Sequence, residues 1–321
     1  MKKVNNLITG VAGFIGFHTA KQLLDSNEQV VGIDNFNDYY DPSLKEARVA
    51  ELLKHENFTL VRGDLSERQT VIDLFSNYQF DKVCHLAAQA GVRYSLENPN
   101  AYVQSNLVAF MNVLEAVRNY EVKNFVYASS SSVYGKNTKV PFSITDRVDE
   151  PVSLYATTKR SNELMAYTYH HLYGIPSTGL RFFTVVGPYG RPDMAMMLFT
   201  DAIINDRPIK VFNQGNMERD FTYIDDIVDG VIRSMDTPSG YRIFNLGNNQ
   251  PVKLEYLISC LERSLDKKAK REYLPMQAGD VPRTFADISH TTEKLGWKPT
   301  TDIDDAVKHF VNWYKSFYHY Q

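Results

Sequence analysis

Short apolar runs alternate with stretches of helical period through the first half of the chain. Val4 to Ile8 reads as a buried strand, a helix with one apolar face follows, and Gln29 to Ile33 reads as a second strand. The pattern continues with a charged helix over Ser43 to Lys54, a strand over Phe58 to Arg62 and a helix over Glu67 to Ser76. Strands are then predicted at Lys82 to Leu86, Asn124 to Ala128 and Ser177 to Arg181, spaced by helices over Ala101 to Asn119 and Ser153 to Tyr173. Such alternation predicts an α/β, doubly wound parallel sheet. Right-handed crossovers would gather the loops after each strand at one sheet edge, where ligands bind.

Beyond Arg181 the character changes. The stretch FFTVVGPYGRPDM reads as a loop punctuated by Gly187, Pro188, Gly190 and Pro192. Shorter elements follow: helices at Met196 to Asn205, Ile224 to Met235 and Leu254 to Leu265, strands at Ile209 to Phe212 and Tyr241 to Leu246, and a last helix from Ile303. The expected division is a dinucleotide-binding domain over residues 1–181 and a smaller α/β substrate lobe over 182–321, with elements free to interleave.

The turn between the first strand and helix, TGVAGFIG, carries glycines at 10, 13 and 16. Gly10 allows a tight turn, Gly13 keeps side-chain atoms away from a pyrophosphate, and Gly16 lets the helix press on the strand. The helix start, at Phe14 and Ile15, offers unpaired N–H donors and the positive end of a dipole to that anion. Asp34 closes the second strand where an adenosine ribose would hold its hydroxyls, which favours NAD over NADP. Asn35, Asp64 and Leu65 lie at neighbouring strand ends, and Leu86, Ala87 and Ala88 leave room for a flat ring system.

Tyr155 and Lys159 stand four apart at the start of a predicted helix and share one face. A lysine ammonium there would stabilise the phenolate and could bridge a nicotinamide ribose. Tyr155 would then take a proton from a substrate alcohol while hydride leaves for the nicotinamide. The preceding strand ends in the serines at 129–132, and a hydroxyl from it can donate to the same alcohol. His85, also at a strand end, reads as a satisfied core histidine.

Composition narrows the partners. The 321 residues are 43% hydrophobic and 23% charged with a formal net charge of −3, which gives no basis for a nucleic-acid or anionic-membrane partner. Cys84 and Cys260 lack metal-site spacing, so no metal is expected and a reducing compartment is. No signal peptide or membrane span is read, which makes the cytoplasm the expected location.

Taken together, TGVAGFIG, Asp34, GDL, HLAA, SSSSVYG and YATTK resemble the extended short-chain dehydrogenase/reductase family. RFFTVVGPYGRPDMA, RDFTYIDD and GDVPRTFAD resemble its UDP-glucuronate 4-epimerase branch. The resemblance implies a Rossmann-type sheet, NAD as cofactor, a UDP-sugar substrate and a homodimer built on the helices at Ala101 to Asn119 and Ser153 to Tyr173. It implies Tyr155 as base, Lys159 as its electrostatic partner and Ser130 as hydroxyl donor, with Ser131 and Ser132 facing the sugar. Thr184 and Arg219 would contact the diphosphate, Phe212 would stack on uracil and Arg191 would meet a sugar carboxylate. Arg93 and Arg283 are further anion candidates.

The implied activity is a redox-neutral C4 epimerisation of UDP-glucuronate to UDP-galacturonate, an isomerase reaction of carbohydrate metabolism. Dehydratases and decarboxylases of the family carry an acid just before V-Y-G, and here that residue is Ser132. Val186 departs from the tyrosine common in the branch. A UDP-glucose 4-epimerase is the alternative within the family, and a non-catalytic NAD-sensing protein is the alternative outside enzymes.

Overall fold

The computed structural model describes residues 2–277 and 281–320. The first half of the chain runs β1 (Lys2–Thr9), α1 (Phe14–Asp25), β2 (Val30–Asp34), α2 (Ser43–Leu52), β3 (Phe58–Arg62), α3 (Arg68–Asn77) and β4 (Tyr78–His85). Then come α4 (Tyr94–Glu97), α5 (Pro99–Tyr102), a π-turn (Val103–Val108), α6 (Ala109–Asn119), β5 (Asn124–Ser130), α7 (Leu154–Tyr173) and β6 (Ser177–Phe182). The second half contains β7 (Thr184–Val186), α8 (Ala195–Ile204), β8 (Ile209–Phe212), β9 (Glu218–Tyr223), α9 (Ile224–Asp236) and β10 (Tyr241–Leu246). It ends with β11 (Pro251–Lys253), α10 (Leu254–Leu265), β12 (Arg271–Leu274), α11 (Ser289–Leu295) and α12 (Ile303–Phe317).

Seven parallel strands form the main sheet in the order β10-β6-β5-β4-β1-β2-β3. β1 pairs Leu7 with Val31 on one side and with Val83 on the other. Both faces of these strands are covered, which is why they read as apolar runs rather than alternating ones. Leu7, Phe110, Val113 and Phe125 pack one face, while Ile8, Val126, Leu180 and Trp297 pack the other. Strand order reverses between β1 and β4, and the doubly wound architecture opens its crevice at that point. After β9 and α9 the chain returns to the main sheet, where Asn245 of β10 lies beside Arg181 of β6.

Two smaller sheets, β11-β9-β7 and β12-β8, and a third core around Met197, Val211, Leu257 and Phe310 build the second lobe. Four of these strands, β12 among them, go beyond the sequence reading. β7 lies inside the stretch expected to be a loop, β9 begins on charged residues, and β11 follows a turn; each depends on a partner distant in sequence. The long helix expected from Ala101 is also broken. Its π-turn brings Asn106 inward, where the side-chain oxygen accepts the Gln89 N–H at 2.8 Å and the amide donates to Gln89 O and Thr158 Oγ1.

A buried carboxylate fastens the elements next to the crevice. Glu163 on α7 accepts Ser129 Oγ at 2.6 Å and the Arg181 guanidinium at 2.8 and 2.9 Å, with no exposure of its own. Burial alone would raise its pKa, but the Arg181 hydrogen bonds and charge prevail and hold it below the usual carboxylate value. Glu163→Ala, which strands Arg181 in the interior, should cost about 3–5 kcal/mol in urea unfolding. The ion pair's contribution should be present above pH 4.5, the ordinary glutamate value, and be lost as the pH falls through the depressed native value. A flat stability profile for the Glu163→Gln variant against a sloping native one below that pH is the expected comparison.

Candidate active site

A cavity of about 1100 Å³ opens where the strand order reverses and runs into the second lobe. Its floor on the β1 side is the glycine turn. Gly10 has φ +68°, donates its N–H to Ile33 O at 2.8 Å, and lies so close to Ala87 that a Cβ would sit 2.8 Å from that backbone. A Cβ on Gly16 would meet Gly10 O at 2.1 Å, so the helix is pressed onto the turn just beyond the strand rather than onto the strand itself. Gly13 serves differently from the reading above: its N–H already donates to Gly10 O at 2.9 Å, and a Cβ would clash with that same oxygen. The donors left at the helix start are those of Phe14, Ile15 and Gly16, since the first helical bond is from Phe17 N–H to Gly13 O. No side chain caps this terminus and no acid stands in its first turn, so an anion meets no competitor there.

Asp34 is buried at the cavity wall. Its oxygens accept one backbone N–H each, from Ala12 at 3.1 Å and Phe36 at 2.9 Å, which leaves lone pairs for two hydroxyls. Burial raises its pKa against the pull of those bonds and of Lys45 and Arg48. Asn35 donates to Asp64 at 2.9 Å, and both line the cavity with Leu65, Leu86, Ala87 and Ala88. Lys159 is buried with one carbonyl partner, Ala128 O at 2.9 Å, which leaves further N–H donors at the cavity wall. The donor set, the uncapped helix and the length of the cavity fit a dinucleotide.

Tyr155 and Lys159 project from the first turns of α7, which Ser153 caps by accepting Ala156 N–H at 3.1 Å. Both line the cavity with Ser130, Ser131 and Ser132. Ser130 Oγ accepts from Ser132 Oγ at 2.9 Å and from Ser132 N–H at 3.2 Å, so its own proton is left for Tyr155. Ser132, expected to face the sugar, lines the cavity and gives its hydroxyl proton to Ser130, which leaves its oxygen as an acceptor.

The electrostatics also differ from the reading. Burial pushes the Tyr155 hydroxyl up, and the opposing pull comes from the Ser130 hydrogen bond and the Arg191 charge. Burial brings Lys159 down to about 7, so its ammonium is itself costly there. His85, brought down to about 3 by burial and then by the Lys159 charge, is a neutral core residue sharing a hydrogen bond with Thr9 Oγ1.

The far end of the cavity is lined by Thr184, Arg191, Phe212, Arg219 and Arg93. The Arg93 guanidinium lies 5.1 Å from the Phe212 ring centre. Arg219 donates to Glu218 O at 3.0 Å and Pro282 O at 3.2 Å. Arg283 is not brought to the cavity lining: it pairs with Glu218 at 2.8 Å and lies over the Phe285 ring. Gly279 and Asp280 of the GDVPRTFAD stretch lie outside the described residues. Val186 is buried in the second lobe's core beside Met197 and Phe221, facing away from the cavity.

Several residues that shape the cavity escaped the sequence reading. Asp193 binds Arg191, and Tyr39 OH donates to Asp193 at 3.0 Å. Arg48, fully buried, donates to Ala12 O at 2.7 Å and to Tyr189 O at 2.6 Å, so it ties the glycine turn to the loop that carries Arg191. A buried arginine on a charged helix has no local signature; its carbonyl partners are 36 and 141 residues away. Among the described residues no cluster of metal-ligating side chains occurs, and no helix is long and apolar enough to cross a membrane.

Comparison with known proteins agrees with this geometry. Residues 7–310 match the family model described as GDP-mannose 4,6 dehydratase. The chain is 50% identical to UDP-glucuronate 4-epimerase 4 of Arabidopsis thaliana, over 97% of this chain and 75% of that one. It is 46% identical to a probable UDP-glucuronate 4-epimerase of Rhizobium meliloti, over 97% of both. The crystal structure of the Bacillus cereus UDP-glucuronic acid 4-epimerase, in complex with UDP-glucuronic acid and NAD, superposes with a TM-score of 0.92 at 34% identity, covering 98% of this chain and all of that one. Sheet order, glycine turn and matched length together make this protein a member of the extended short-chain dehydrogenase/reductase family.

Proposed function

We propose that this protein is an NAD-dependent UDP-glucuronate 4-epimerase, which interconverts UDP-glucuronate and UDP-galacturonate through a 4-keto sugar. The observation that carries the reading is Arg191: a cation at the wall of the same cavity as Tyr155, close enough for each to feel the other's charge. A planar guanidinium suits a carboxylate, and a neutral hexose has no use for one there. Ser132 stands where dehydratases and decarboxylases of the family carry an acid, and this favours epimerisation over elimination. The curated relatives and the Bacillus cereus structure bear the same activity in their names.

Tyr155 takes the proton of the C4 hydroxyl, and Ser130, whose one proton is held toward Tyr155, turns it to the same oxygen as the sugar enters. NAD, when bound, would supply reversible hydride chemistry, which makes the overall reaction redox-neutral. The cofactor would be held by the N–H groups at the start of α1 at its pyrophosphate, by Asp34 at one ribose and by Lys159 at the other. The keto sugar swings about its diphosphate linkage, and Tyr155 gives the proton back with the other face presented. Thr184 and Arg219 hold the diphosphate, and Phe212, with Arg93 beside it, receives the uracil.

In this reading residues 1–181 bind the cofactor and 182–321 the nucleotide sugar, with β10 and α9 lent back to the main sheet. The protein works as a cytoplasmic homodimer. Support for the dimer comes from apolar side chains left exposed on α6 and α7, among them Met111, Leu164 and Tyr167. Both cysteines are unbonded, in keeping with a reducing compartment.

Incubation with UDP-glucuronate and with UDP-glucose in parallel, without added NAD, followed by product separation, should yield UDP-galacturonate and little UDP-galactose; the reverse preference would sink the assignment. Tyr155→Phe should lower kcat about 10²–10⁴-fold with NAD content unchanged. The 4-keto intermediate is a β-keto acid that loses CO₂ when its carboxylate bond aligns with the carbonyl. Arg191→Ala should raise KM for UDP-glucuronate about 10- to 100-fold and release pentose product, read as CO₂; unaltered kinetics without CO₂ would remove Arg191 from the site.

A further inference from the structure

The polar aromatic insert that follows Asp34, from Asn35 to Pro42, has no part in the chemistry described above, yet it reaches the substrate end of the cavity. Tyr39 from this insert packs on Tyr94 with ring centres 4.7 Å apart. Its hydroxyl passes so close to Gly91, where φ is +103°, that a Cβ at that position would lie 2.9 Å away. Tyr39 OH then donates to Asp193 Oδ2 at 3.0 Å. Asp193 in turn accepts Arg191 Nε at 3.0 Å and Nη2 at 2.5 Å. One edge of the guanidinium is therefore occupied by a carboxylate of the protein, and the Nη1 edge remains for a ligand.

A carboxylate beside the arginine that should bind the substrate's carboxylate looks counterproductive if affinity is the only demand. Epimerisation makes a second demand. Between removal and return of hydrogen at C4 the sugar presents its other face, and its carboxylate travels with the ring. An unopposed bidentate arginine would hold that group at a single pose. An arginine already paired gives up less on release, because its charge stays compensated inside a partly buried site.

We propose that Asp193, braced by Tyr39, is a positioning and specificity-determining residue that keeps Arg191 oriented and moderates its grip, so that the carboxylate-bearing keto sugar can turn. The inference rests on the epimerase reading given above. It also gives the insert a purpose: the segment that follows Asp34, proposed to bind a ribose, carries the tyrosine that braces Asp193, joining the cofactor end of the cavity to the carboxylate end.

Asp193→Asn keeps the shape and one acceptor for Arg191 while removing the charge, so it separates orientation from moderation. Two measurements apply. Binding of UDP-glucuronate and UDP-glucose is measured by calorimetry on the Tyr155→Phe background, where turnover is blocked, and kcat and KM are measured with Tyr155 in place. The expected result is UDP-glucuronate Kd lower by about tenfold, kcat lower by a similar factor, and UDP-glucose Kd unchanged. A UDP-glucuronate Kd that rises or stays level overturns the proposal, as does a parallel loss for both nucleotide sugars, which a merely structural role would give. If Asp193→Asn does not fold, Tyr39→Phe decides: it removes only the bracing hydroxyl, and a lower UDP-glucuronate Kd supports the proposal while an unchanged or higher one overturns it. Failure of the epimerase reading itself shows separately, as a native protein that leaves UDP-glucuronate unconverted.

Discussion

Tyr155 and Ser130, the proposed base and hydroxyl donor, are held in register by one buried carboxylate. Glu163 sits two helical turns beyond Tyr155 on α7 and binds Ser129, the neighbour of Ser130 on β5, together with Arg181 on β6. The distance between base and hydroxyl donor is thereby set by an ion pair that solvent does not reach. Such pairs add little net stability against an apolar alternative, but losing one partner leaves the other's charge uncompensated in the interior. Asn106 adds a second constraint from the opposite side, through Thr158 on α7 and the Gln89 backbone at the cavity wall.

Around that centre, burial sets the charge states. Desolvation pushes Tyr155 up and brings Lys159 down to about 7, so the empty-handed pairing of phenol and ammonium is not by itself a strong base. The favourable pull on the phenolate comes from Ser130 and from Arg191, the group expected to recognise the substrate. In the proposed reading, substrate recognition and base strength are thus carried in part by the same guanidinium. That coupling is a reason for the protein to control how Arg191 is compensated, and Asp193 stands where such control can act.

The loop that carries Arg191 is fixed from several directions. Arg48 donates to its Tyr189 carbonyl, His18 bonds Pro188 O at 2.9 Å, and the Tyr189 ring packs against Phe17, Trp313 and Phe317. These partners come from α1, α2 and α12, so a single loop collects the two ends of the chain. Burial keeps His18 neutral by bringing it down to about 4, which makes its bond insensitive to pH near neutrality.

What the chain's own pattern determined is local and periodic. Apolar runs marked the six leading strands of the main sheet, glycine spacing marked the turn at Gly10, and the four-residue interval of Tyr155 and Lys159 marked a shared helix face. Backbone sterics and hydrophobic burial act over a few residues, and their traces can be read in order. Other features became visible only in three dimensions: the pairing of β7 with β9, the inward turn of Asn106, the bridging by Arg48, the hydrogen bond from Ser132 to Ser130, the outlying position of Arg283 and the clasp of Tyr39, Asp193 and Arg191. Each depends on partners brought together by the fold from distant parts of the chain, or on how close neighbours divide a few donors and acceptors. Periodicity records which face is buried; only the packed structure decides which polar atom meets which.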